Sequence, residues 1–399
     1  MHRMNKSSEW IALEKKYYVP VVRRQPVVLV RGKGSWVWDA DGKEYLDLIG
    51  GWAVNALGHC HPVITQALTE QAATLVQTSN QFYTVPQILL AQLLVEHSCL
   101  DRVFFGNSGA EANEGALKLA RKYGKQKRDG AYEVITAHRS FHGRTLATVA
   151  ATGQPHYREP FTPLPPGFVH VPYNDVEAIM HATSDKTVAV MLEPIQGEGG
   201  VNVPADDYLQ RVRAWCDKQG LLLILDEIQT GMGRLGSLFG YQEYGVEPDV
   251  MTLAKGLGCG VPIGAFLSKE SCTALGLGDH GSTFGGNPLV CAAAYAGSKY
   301  LIDHDIPAYV KQTEKHLFGR LHELKTRFSF ITEVRGKGLL AAIEFDSDIA
   351  GQVLTHAHTT GVLLNAVKPT ALRFMPSLTI TAEEIDEGIG RLEWALKKI

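Results

Sequence analysis

The sequence predicts an α/β fold with a mostly parallel central sheet. Between about residues 100 and 290, short apolar runs alternate with helical segments. The runs are apolar throughout, which is typical of strands that helices cover on both faces. The predicted strands comprise residues 102–105, 133–136, 188–192, 221–225, 250–253 and 264–267.

Two of the intervening helical segments stop directly before a glycine. The first runs from Ala110 to Tyr123 and precedes Gly124, and the second runs from residue 204 to 219 and precedes Gly220. Glycine is common just after a helix because it adopts the left-handed backbone conformation readily. We therefore expect both glycines to terminate helices.

The two ends of the chain show an α+β pattern instead. Residues 26–48 predict a β-hairpin, and strands after about residue 330 precede a helix that begins at the capping box Thr381-Ala-Glu-Glu384. Because 399 residues exceed the size of one simple core, we expect two domains. The large domain would comprise residues 61–295, and a small domain would combine the two ends, residues 1–60 and 296–399.

Composition and charge exclude several classes of protein. The chain is 45% hydrophobic and 20% charged, with a net charge of −3, so it has no electrostatic preference for nucleic acid or acidic membranes. No apolar run approaches the roughly 18 residues that span a bilayer, and the first ten residues do not resemble a signal sequence. The six cysteines are scattered, as in a protein with reduced thiols. We expect a soluble cytoplasmic protein.

Lys255 and Asp226 each follow an apolar run and mark the same edge of the predicted sheet. Asp226 ends residues 221–225, and Lys255 ends residues 250–254 and precedes several glycines. Ligands of parallel sheets bind where strands end. Pyridoxal phosphate needs both groups, since a lysine amine holds its aldehyde and a carboxylate keeps its ring nitrogen protonated. The alternative is an ordinary surface lysine. The presence of Asp226 at the same edge makes this alternative the weaker interpretation.

A strand-to-helix junction at residues 106–114 predicts an anion site. In Gly106-Asn-Ser-Gly-Ala110, free backbone N–H groups at the helix start and the Ser108 hydroxyl suit a phosphate. The same residues would also make an ordinary helix cap. A second loop rich in glycine and hydroxyl groups, Gly281-Ser-Thr-Phe-Gly-Gly286, could reach the same phosphate.

A third segment, Arg139 to Thr145, follows the strand at residues 133–136. Within it, Phe141 can stack on a planar ring, and Arg144 can pair with a carboxylate through two hydrogen bonds. The alternative is a loop whose aromatic residue belongs to the core.

Two other patterns are weaker. His59-Cys-His61 could be part of a metal site, but no further ligands of suitable spacing follow, so we interpret both histidines as structural and predict no metal. Gly231-Met-Gly-Arg-Leu-Gly236 has the glycine spacing of dinucleotide-binding proteins. Asp226 to Thr230 separate it from the strand, however, so a nicotinamide-dependent oxidoreductase is a possible but poor alternative.

Two segments carry a family resemblance: Leu225-Asp-Glu-Ile-Gln-Thr-Gly-Met-Gly-Arg234 and Leu253-Ala-Lys-Gly-Leu-Gly258. Both resemble the signature of class III (subgroup II) pyridoxal-phosphate aminotransferases, which have PLP fold type I, and the resemblance extends from Pro26 to the C-terminal helix. Within the class, four segments are similar to those of acetylornithine aminotransferases: residues 38–42, 53–59, 196–200 and 280–288.

The resemblance implies a homodimer whose active sites lie at the subunit interface. It implies that Lys255 and Asp226 are catalytic, with Lys255 forming the Schiff base and Asp226 on the ring nitrogen. The remaining implied cofactor contacts are Ser108, Gly109, Ala110, Phe141, Glu227, Ile228, Gln229 on the ring hydroxyl, and Thr283 from the partner subunit. Two departures are small: Ala110 stands where the family usually has threonine, and Trp52 replaces an aliphatic residue.

The implied reaction transfers the distal amine of N-acetylornithine to 2-oxoglutarate, a step of arginine biosynthesis. Arg144 would bind the carboxylate remote from the reacting carbon. Arg373 would bind the α-carboxylate of glutamate and pair with Glu198 when the amine donor is bound. Gly51 matches a tyrosine of ornithine-using relatives and leaves room for an acyl group, with Ser282 as an acyl contact.

Three alternatives to this reaction stay open. The substrate could instead be ornithine, succinylornithine, 4-aminobutyrate or another ω-amine. The enzyme could be the nicotinamide oxidoreductase described above. The chain could also be a non-catalytic protein on the same fold, which the presence of both Lys255 and Asp226 disfavours.

Overall fold

The computed structural model describes residues 6–399, and it confirms the predicted α/β architecture. In that range the strands form three sheets. They are β1 (Leu29–Lys33), β2 (Trp36–Asp39), β3 (Glu44–Asp47), β4 (Arg102–Gly106), β5 (Glu133–Ala137), β6 (Phe168–Val171), β7 (Thr187–Leu192), β8 (Leu222–Asp226), β9 (Val250–Leu253), β10 (Gly264–Ser268), β11 (Ile331–Lys337), β12 (Leu340–Phe345), β13 (Val362–Leu363), β14 (Asn365–Lys368) and β15 (Ala371–Phe374).

Helices connect and cover these strands. They are α1 (Ser7–Tyr17), α2 (Gly50–Ala53), α3 (Pro62–Thr74), α4 (Val85–Glu96), α5 (Gly109–Lys127), α6 (Leu146–Ala151), α7 (Pro155–Arg158), α8 (Val176–Ala182), α9 (Tyr208–Gln219), α10 (Gly240–Glu243), α11 (Pro288–Asp303), α12 (Ile306–Arg327), α13 (Ala350–Thr360) and α14 (Ala382–Leu396). Short 3-10 helices occupy Glu159–Phe161, Lys255–Leu257 and Glu270–Cys272.

The central sheet has seven strands in the order β4-β10-β9-β8-β7-β5-β6. The middle strands are parallel, as predicted, but β10 runs antiparallel to both β9 and β4. All six predicted strands form, and every residue of β7, β8 and β9 is buried. The sequence prediction missed β6, an edge strand whose four residues, Phe168-Val-His-Val171, include a histidine that interrupts the apolar pattern.

The prediction for Gly220 is confirmed, and the one for Gly124 is wrong. Gly220 follows α9 with φ +64°, in the left-handed region. By contrast, α5 continues through Gly124 to Lys127. A Cβ atom at Gly124 would lie 1.8 Å from the carbonyl oxygen of Ala131, so glycine stands there because the backbone of the next loop passes directly over the helix.

We expect Gly124→Ala to destabilise the protein by about 1–3 kcal/mol or more, because the clash is with backbone and no side chain can rotate away. Gly319→Ala is the matched control, since Gly319 also lies inside a helix, α12, but its Cβ would meet no atom within 4 Å. That control should stabilise the protein by up to about 1 kcal/mol through helix propensity. Denaturant unfolding of both variants measures the difference, and equal stabilities would contradict the proposed contact.

Two smaller sheets lie outside the central one. The first has the order β1-β2-β3-β13 and joins strands from both ends of the chain, because β13 pairs in parallel with β3. The second has the order β11-β12-β15-β14. The predicted hairpin is β1 and β2, with the reversal at Gly34 and Ser35.

The C-terminal helix α14 is confirmed together with its capping box. The Thr381 hydroxyl accepts a hydrogen bond from the Glu384 amide, and the Glu384 carboxylate accepts one from the Thr381 amide. The four apolar residues predicted for one face are all buried: Ile385, Ile389, Leu392 and Leu396.

We propose the predicted division into two domains with one change. The pairing of β13 with β3 supports a small domain built from residues 1–60 and the C-terminal part, although residues 1–5 lie outside the described range. A boundary at residue 295, however, falls inside α11, which packs against α3 and α4. We therefore place the end of the large domain at Asp303. Among residues 6–399, no helix combines the length and the hydropathy that a membrane span requires.

Candidate active site

A cavity of about 430 Å³ opens at the carboxyl ends of the parallel strands. Segments that directly follow β4, β5, β7, β8 and β9 line it, as expected for a sheet of this kind. The lining residues are Val54, Asn107, Ser108, Gly109, Ala110, Phe141, His142, Gly143, Arg144, Glu193, Glu198, Asp226, Ile228, Gln229, Ala254, Lys255, Gly260, Val261, Pro262 and Ile263.

Lys255 lies in this cavity two residues after the end of β9. Its φ is +42°, in the left-handed region that a non-glycine residue adopts only at a cost, and such strain often marks functional positions. Removal of its amine from water lowers the pKa of Lys255, while the neighbouring Glu198 carboxylate opposes that effect. A larger share of the amine is therefore unprotonated, and thus nucleophilic, than in an exposed lysine.

Asp226 is the last residue of β8, and its side chain is only 3% exposed. One carboxylate oxygen accepts hydrogen bonds from Asn113 Nδ2 and from His142 Nδ1, each at 2.8 Å. The other oxygen accepts one from the amide of Ile228 at 3.1 Å. These three donors hold the carboxylate in one orientation towards the cavity.

The anion site predicted at the start of α5 is present. Ser108 is the N-cap residue, and its hydroxyl accepts a hydrogen bond from the Glu111 amide. The N–H groups of Gly109 and Ala110 belong to the first helical turn and have no partner within the helix. They line the cavity, so they and the positive end of the helix dipole can bind a phosphate there.

Phe141 and Arg144 form one wall of the cavity. The Arg144 guanidinium lies 4.0 Å from the ring centroid of Tyr157 and 5.5 Å from that of Phe141. Arg144 is exposed and forms no ion pair with any residue between 6 and 399. Its charge is therefore available to a carboxylate that enters the cavity.

Glu198 and Arg373, which we expect to pair when the amine donor is bound, form an ion pair. Arg373 Nη2 lies 2.9 Å from Glu198 Oε1, and the Arg373 side chain is fully buried whereas that of Glu198 is 26% exposed. Burial alone would raise the pKa of Glu198, but the charges of Arg373 and Lys255 lower it below its ordinary value. Glu198 lines the cavity, whereas the buried Arg373 lies behind it and contacts the cavity wall through Glu198 and Gln229.

Gln229 connects this pair to the cavity. Its Oε1 accepts a hydrogen bond of 3.1 Å from Arg373 Nη1, while its Nε2 is buried and has no partner among the described residues. An unpaired buried amide is costly, so a ligand acceptor in the cavity would satisfy it. Glycine is needed at position 197 because a Cβ there would lie 1.6 Å from Gln229 Oε1.

Besides Arg373, three of the predicted site residues do not line the cavity of this chain. The Glu227 carboxylate faces the other way and accepts hydrogen bonds from the amides of Gly240 and Tyr241, so it takes no part in lining the cavity. Ser282 reaches only the rim, where its hydroxyl lies 3.2 Å from Asn107 Nδ2. Thr283 is exposed.

Sequence reasoning missed three residues that shape the site. Glu193 lines the cavity and accepts hydrogen bonds from the amides of Phe141 and Gly197, and burial raises its pKa to about 7. It directly follows β7, so the signal that identified Asp226 was available for it too. His142 and Asn113 hold Asp226, but their distance from it in sequence gave no such signal.

The two weaker sequence patterns, the histidine pair and the glycine-rich segment, do not line the cavity. His59 Nε2 is 2.8 Å from Asp47 Oδ2, and His61 accepts a hydrogen bond at the start of α3. No cluster of three or more metal-ligating side chains occurs in the described part of the chain. Residues 231–236 form turns that lead to the four-residue helix α10, whereas a dinucleotide fingerprint lies directly between a strand and a full helix.

The chain is similar to named aminotransferases over nearly its full length. It is 51% identical to the acetylornithine aminotransferase of Methanocaldococcus jannaschii over 396 residues, which cover 98% of each chain. It is 48% identical to the acetylornithine aminotransferase of Caldanaerobacter subterraneus subsp. tengcongensis over 390 residues, which cover 98% of this chain and 99% of the relative.

Solved structures and a family model agree with these relatives. The ornithine aminotransferase of Toxoplasma gondii ME49 superposes with a TM-score of 0.95 at 35% identity, covering 99% of this chain and 96% of that one. The acetylornithine aminotransferase of Elizabethkingia anophelis has a TM-score of 0.88 at 34% identity, covering 98% of each chain. Residues 17–396 match the family model described as aminotransferase class-III. The chain belongs to the class III aminotransferases.

Proposed function

We propose that this enzyme transfers the distal amine of N-acetylornithine to 2-oxoglutarate, giving N-acetylglutamate 5-semialdehyde and glutamate. The observation that carries the proposal is the Glu198–Arg373 ion pair near Lys255, together with an Arg144 that lines the same cavity and forms no ion pair with the described residues. Arg144 is available to every substrate, whereas Arg373 is paired with Glu198. This arrangement suits an amine donor with one carboxylate and an acceptor with two. The names of relatives at 46–51% identity support the same donor, for which we propose a place in arginine biosynthesis, and a relative at 44% identity is named for both acetylornithine and succinyldiaminopimelate.

As a class III aminotransferase, the protein uses pyridoxal 5′-phosphate. The residues of the cavity fit that group. The free N–H groups of Gly109 and Ala110, with the Ser108 hydroxyl, would hold its phosphate. The unpaired Nε2 of Gln229 would donate to its ring hydroxyl oxygen, and Phe141 would stack on the ring.

When bound, pyridoxal phosphate supplies an aldehyde that exchanges amines and a ring that accepts electrons. Asp226 would hold a proton on the ring nitrogen, since a hydrogen-bonded carboxylate favours the protonated form of a neighbouring base. The Lys255 amine, with its lowered pKa, would move a proton between the substrate carbon that bears the amine and the cofactor.

The two arginines would distinguish the two substrates. Arg144 would bind the carboxylate remote from the reacting carbon in both half-reactions. When N-acetylornithine is bound, Glu198 would stay on Arg373 and neutralise it. When glutamate or 2-oxoglutarate is bound, Glu198 would move aside and the α-carboxylate would take its place on Arg373.

The acyl group of the donor would lie near Gly51. This exposed glycine has no side chain to hydrogen-bond a free α-amino group, and it is three residues from Val54, which lines the cavity. Ser282 and Thr283 would reach the site from the partner subunit of a homodimer. Unmodified ornithine is the principal alternative substrate, since several solved neighbours are ornithine aminotransferases, but at 32–35% identity.

Exposed apolar residues support the proposed homodimer. Phe82, Tyr83 and Phe284 are 63%, 95% and 61% exposed. Asn80 Nδ2 donates hydrogen bonds to the carbonyls of Ser282 and Gly285, so these apolar side chains lie beside the loop that carries Thr283. Light scattering coupled to gel filtration should give twice the mass of 43.7 kDa, and a monomeric active enzyme would contradict the shared site.

We expect Glu198→Ala to lower kcat/KM for N-acetylornithine by about tenfold or more, because Arg373 would be buried without its counter-ion in that half-reaction. The glutamate half-reaction, in which the substrate itself neutralises Arg373, should change much less. Single-turnover spectroscopy of each half-reaction measures the ratio. Glu198→Gln, which keeps the size and removes the charge, should behave like Glu198→Ala, and equal losses in both half-reactions would contradict the switch.

We expect Arg144→Ala to weaken both half-reactions by about 10- to 100-fold in KM, the typical effect of losing a charged hydrogen-bonded pair. Arg144→Lys is the control, since it keeps the charge without the two-pronged geometry and should lose less. A panel of amine donors decides the substrate. Faster turnover of ornithine or 4-aminobutyrate than of N-acetylornithine would overturn the substrate assignment and leave the aminotransferase assignment intact.

A further inference from the structure

One of the two cross-strand neighbours of Arg373 is Asn365, and the other is Ala342. Asn365 and Arg373 pair directly between the antiparallel strands β14 and β15. Asn365 Oδ1 accepts hydrogen bonds from Arg373 Nε at 3.1 Å and from Nη2 at 2.8 Å. This assigns the amide orientation, because the reverse would place Nδ2 against two guanidinium donors.

The side edge of the guanidinium, formed by Nε and Nη2, is thereby occupied by a neutral acceptor, while Nη1 and Nη2 also contact residues that line the cavity. Nη1 donates a hydrogen bond to Gln229 and Nη2 forms an ion pair with Glu198, and both partners line the cavity. Within residues 6–399, Glu198 is the only carboxylate in contact with Arg373. The charge balance of this fully buried arginine therefore depends on one carboxylate, which is 26% exposed.

We propose that Asn365 is a specificity-determining positioning residue: it fixes the Arg373 guanidinium without neutralising it. Replacing Glu198 by a substrate carboxylate then exchanges one anion for another at constant net charge. A carboxylate at position 365 would hold the guanidinium equally well, but it would already neutralise Arg373, and it would repel both Glu198 and an incoming α-carboxylate. The neutral amide thus keeps Arg373 competent for dicarboxylate substrates.

This inference rests on the proposed function only in its statement that Arg373 binds the second carboxylate. It predicts an order of effects for two substitutions at position 365, and a purely structural role of Asn365 would reverse that order. If Asn365 merely held Arg373 in place, Asn365→Leu, which removes the acceptor, would be more harmful than Asn365→Asp, which keeps it. If neutrality matters, Asn365→Asp is the more harmful change for dicarboxylates.

The test compares wild type, Asn365→Asp and Asn365→Leu as holoenzymes. Binding of glutarate, an unreactive dicarboxylate, is measured by calorimetry, and the KM for 2-oxoglutarate and for the amine donor is measured separately. We expect Asn365→Asp to weaken glutarate binding and to raise the 2-oxoglutarate KM by about tenfold or more, the usual effect of placing like charges at a desolvated carboxylate site. The donor KM should change by less than about threefold, and Asn365→Leu should affect the dicarboxylates less than Asn365→Asp does.

Two results would overturn the inference: wild-type glutarate affinity in Asn365→Asp, or a greater loss of glutarate affinity in Asn365→Leu. Both variants must give the wild-type circular dichroism spectrum. If Asn365→Leu does not, Asn365→Ser replaces it as the neutral variant, and if Asn365→Asp does not, Asn365→Glu replaces it as the charged variant. Failure of the proposed function is distinct, since the wild-type enzyme itself would then fail to convert N-acetylornithine. A wild type that uses another amine with 2-oxoglutarate leaves the Asn365 comparison valid.

Discussion

Lys255→Ala should lower the turnover of transamination by at least about a thousandfold, because the proposed nucleophile and proton carrier are the same amine. The fold should persist, since Lys255 Nζ forms no hydrogen bond or ion pair with the described residues and its loss removes no structural contact of that kind. Steady-state kinetics and far-ultraviolet circular dichroism measure the two effects. Lys325→Ala, at an exposed position of α12, is the control and should retain full activity.

The assignment has an independent chemical test. Borohydride treatment of the wild-type holoenzyme makes the bond between the cofactor and its lysine permanent, and peptide mapping then locates the label. We expect the label on Lys255, where the pKa of the amine is lowered by burial. Label on another lysine, or a Lys255→Ala enzyme within tenfold of the wild-type rate, would disprove the role.

Asp226→Ala should lower kcat by about a hundredfold or more in enzyme that still binds the cofactor, because nothing would then hold the ring nitrogen protonated. Asp226→Asn separates charge from shape: it keeps the volume between Asn113 and His142 and should be nearly as inactive. Asp217→Asn is the control, since that carboxylate is 66% exposed on the surface. Cofactor content is read from absorbance, so a fully loaded Asp226→Ala enzyme with near-normal turnover would refute the role.

Much of the fold was predictable because its signals are local. Each predicted strand of the central sheet forms where a continuous apolar run occurs, and α14 begins at its capping box. Local signals fail where a segment distant in sequence determines the local conformation. Gly124 has the sequence context of a helix terminator, yet it lies inside α5 because the backbone at Ala131 passes over it. The histidine in β6 likewise concealed a strand that the edge of the sheet accommodates.

The cavity was predictable to the extent that it follows the ends of strands. Asp226 and Lys255 follow β8 and β9, and Ser108 follows β4, so the topology of a parallel sheet brings them together. Glu193 carries the same signal after β7 and was missed, although its amide partners place it between the loops of Phe141 and Gly197.

By itself, the sequence determined the class of fold, the lysine and carboxylate at the sheet edge, and the glycine-flanked Glu198. The tertiary structure alone decided that Arg373 lies fully buried behind Glu198, that Glu227 faces away from the cavity, and that His142 and Asn113 hold Asp226. The physical reason is the range of the interactions. Apolar runs and helix caps are set by neighbours in sequence, whereas the partner of a buried charge is set by packing between segments that are often far apart, 84 residues for His142 and Asp226 and 113 for Asn113 and Asp226.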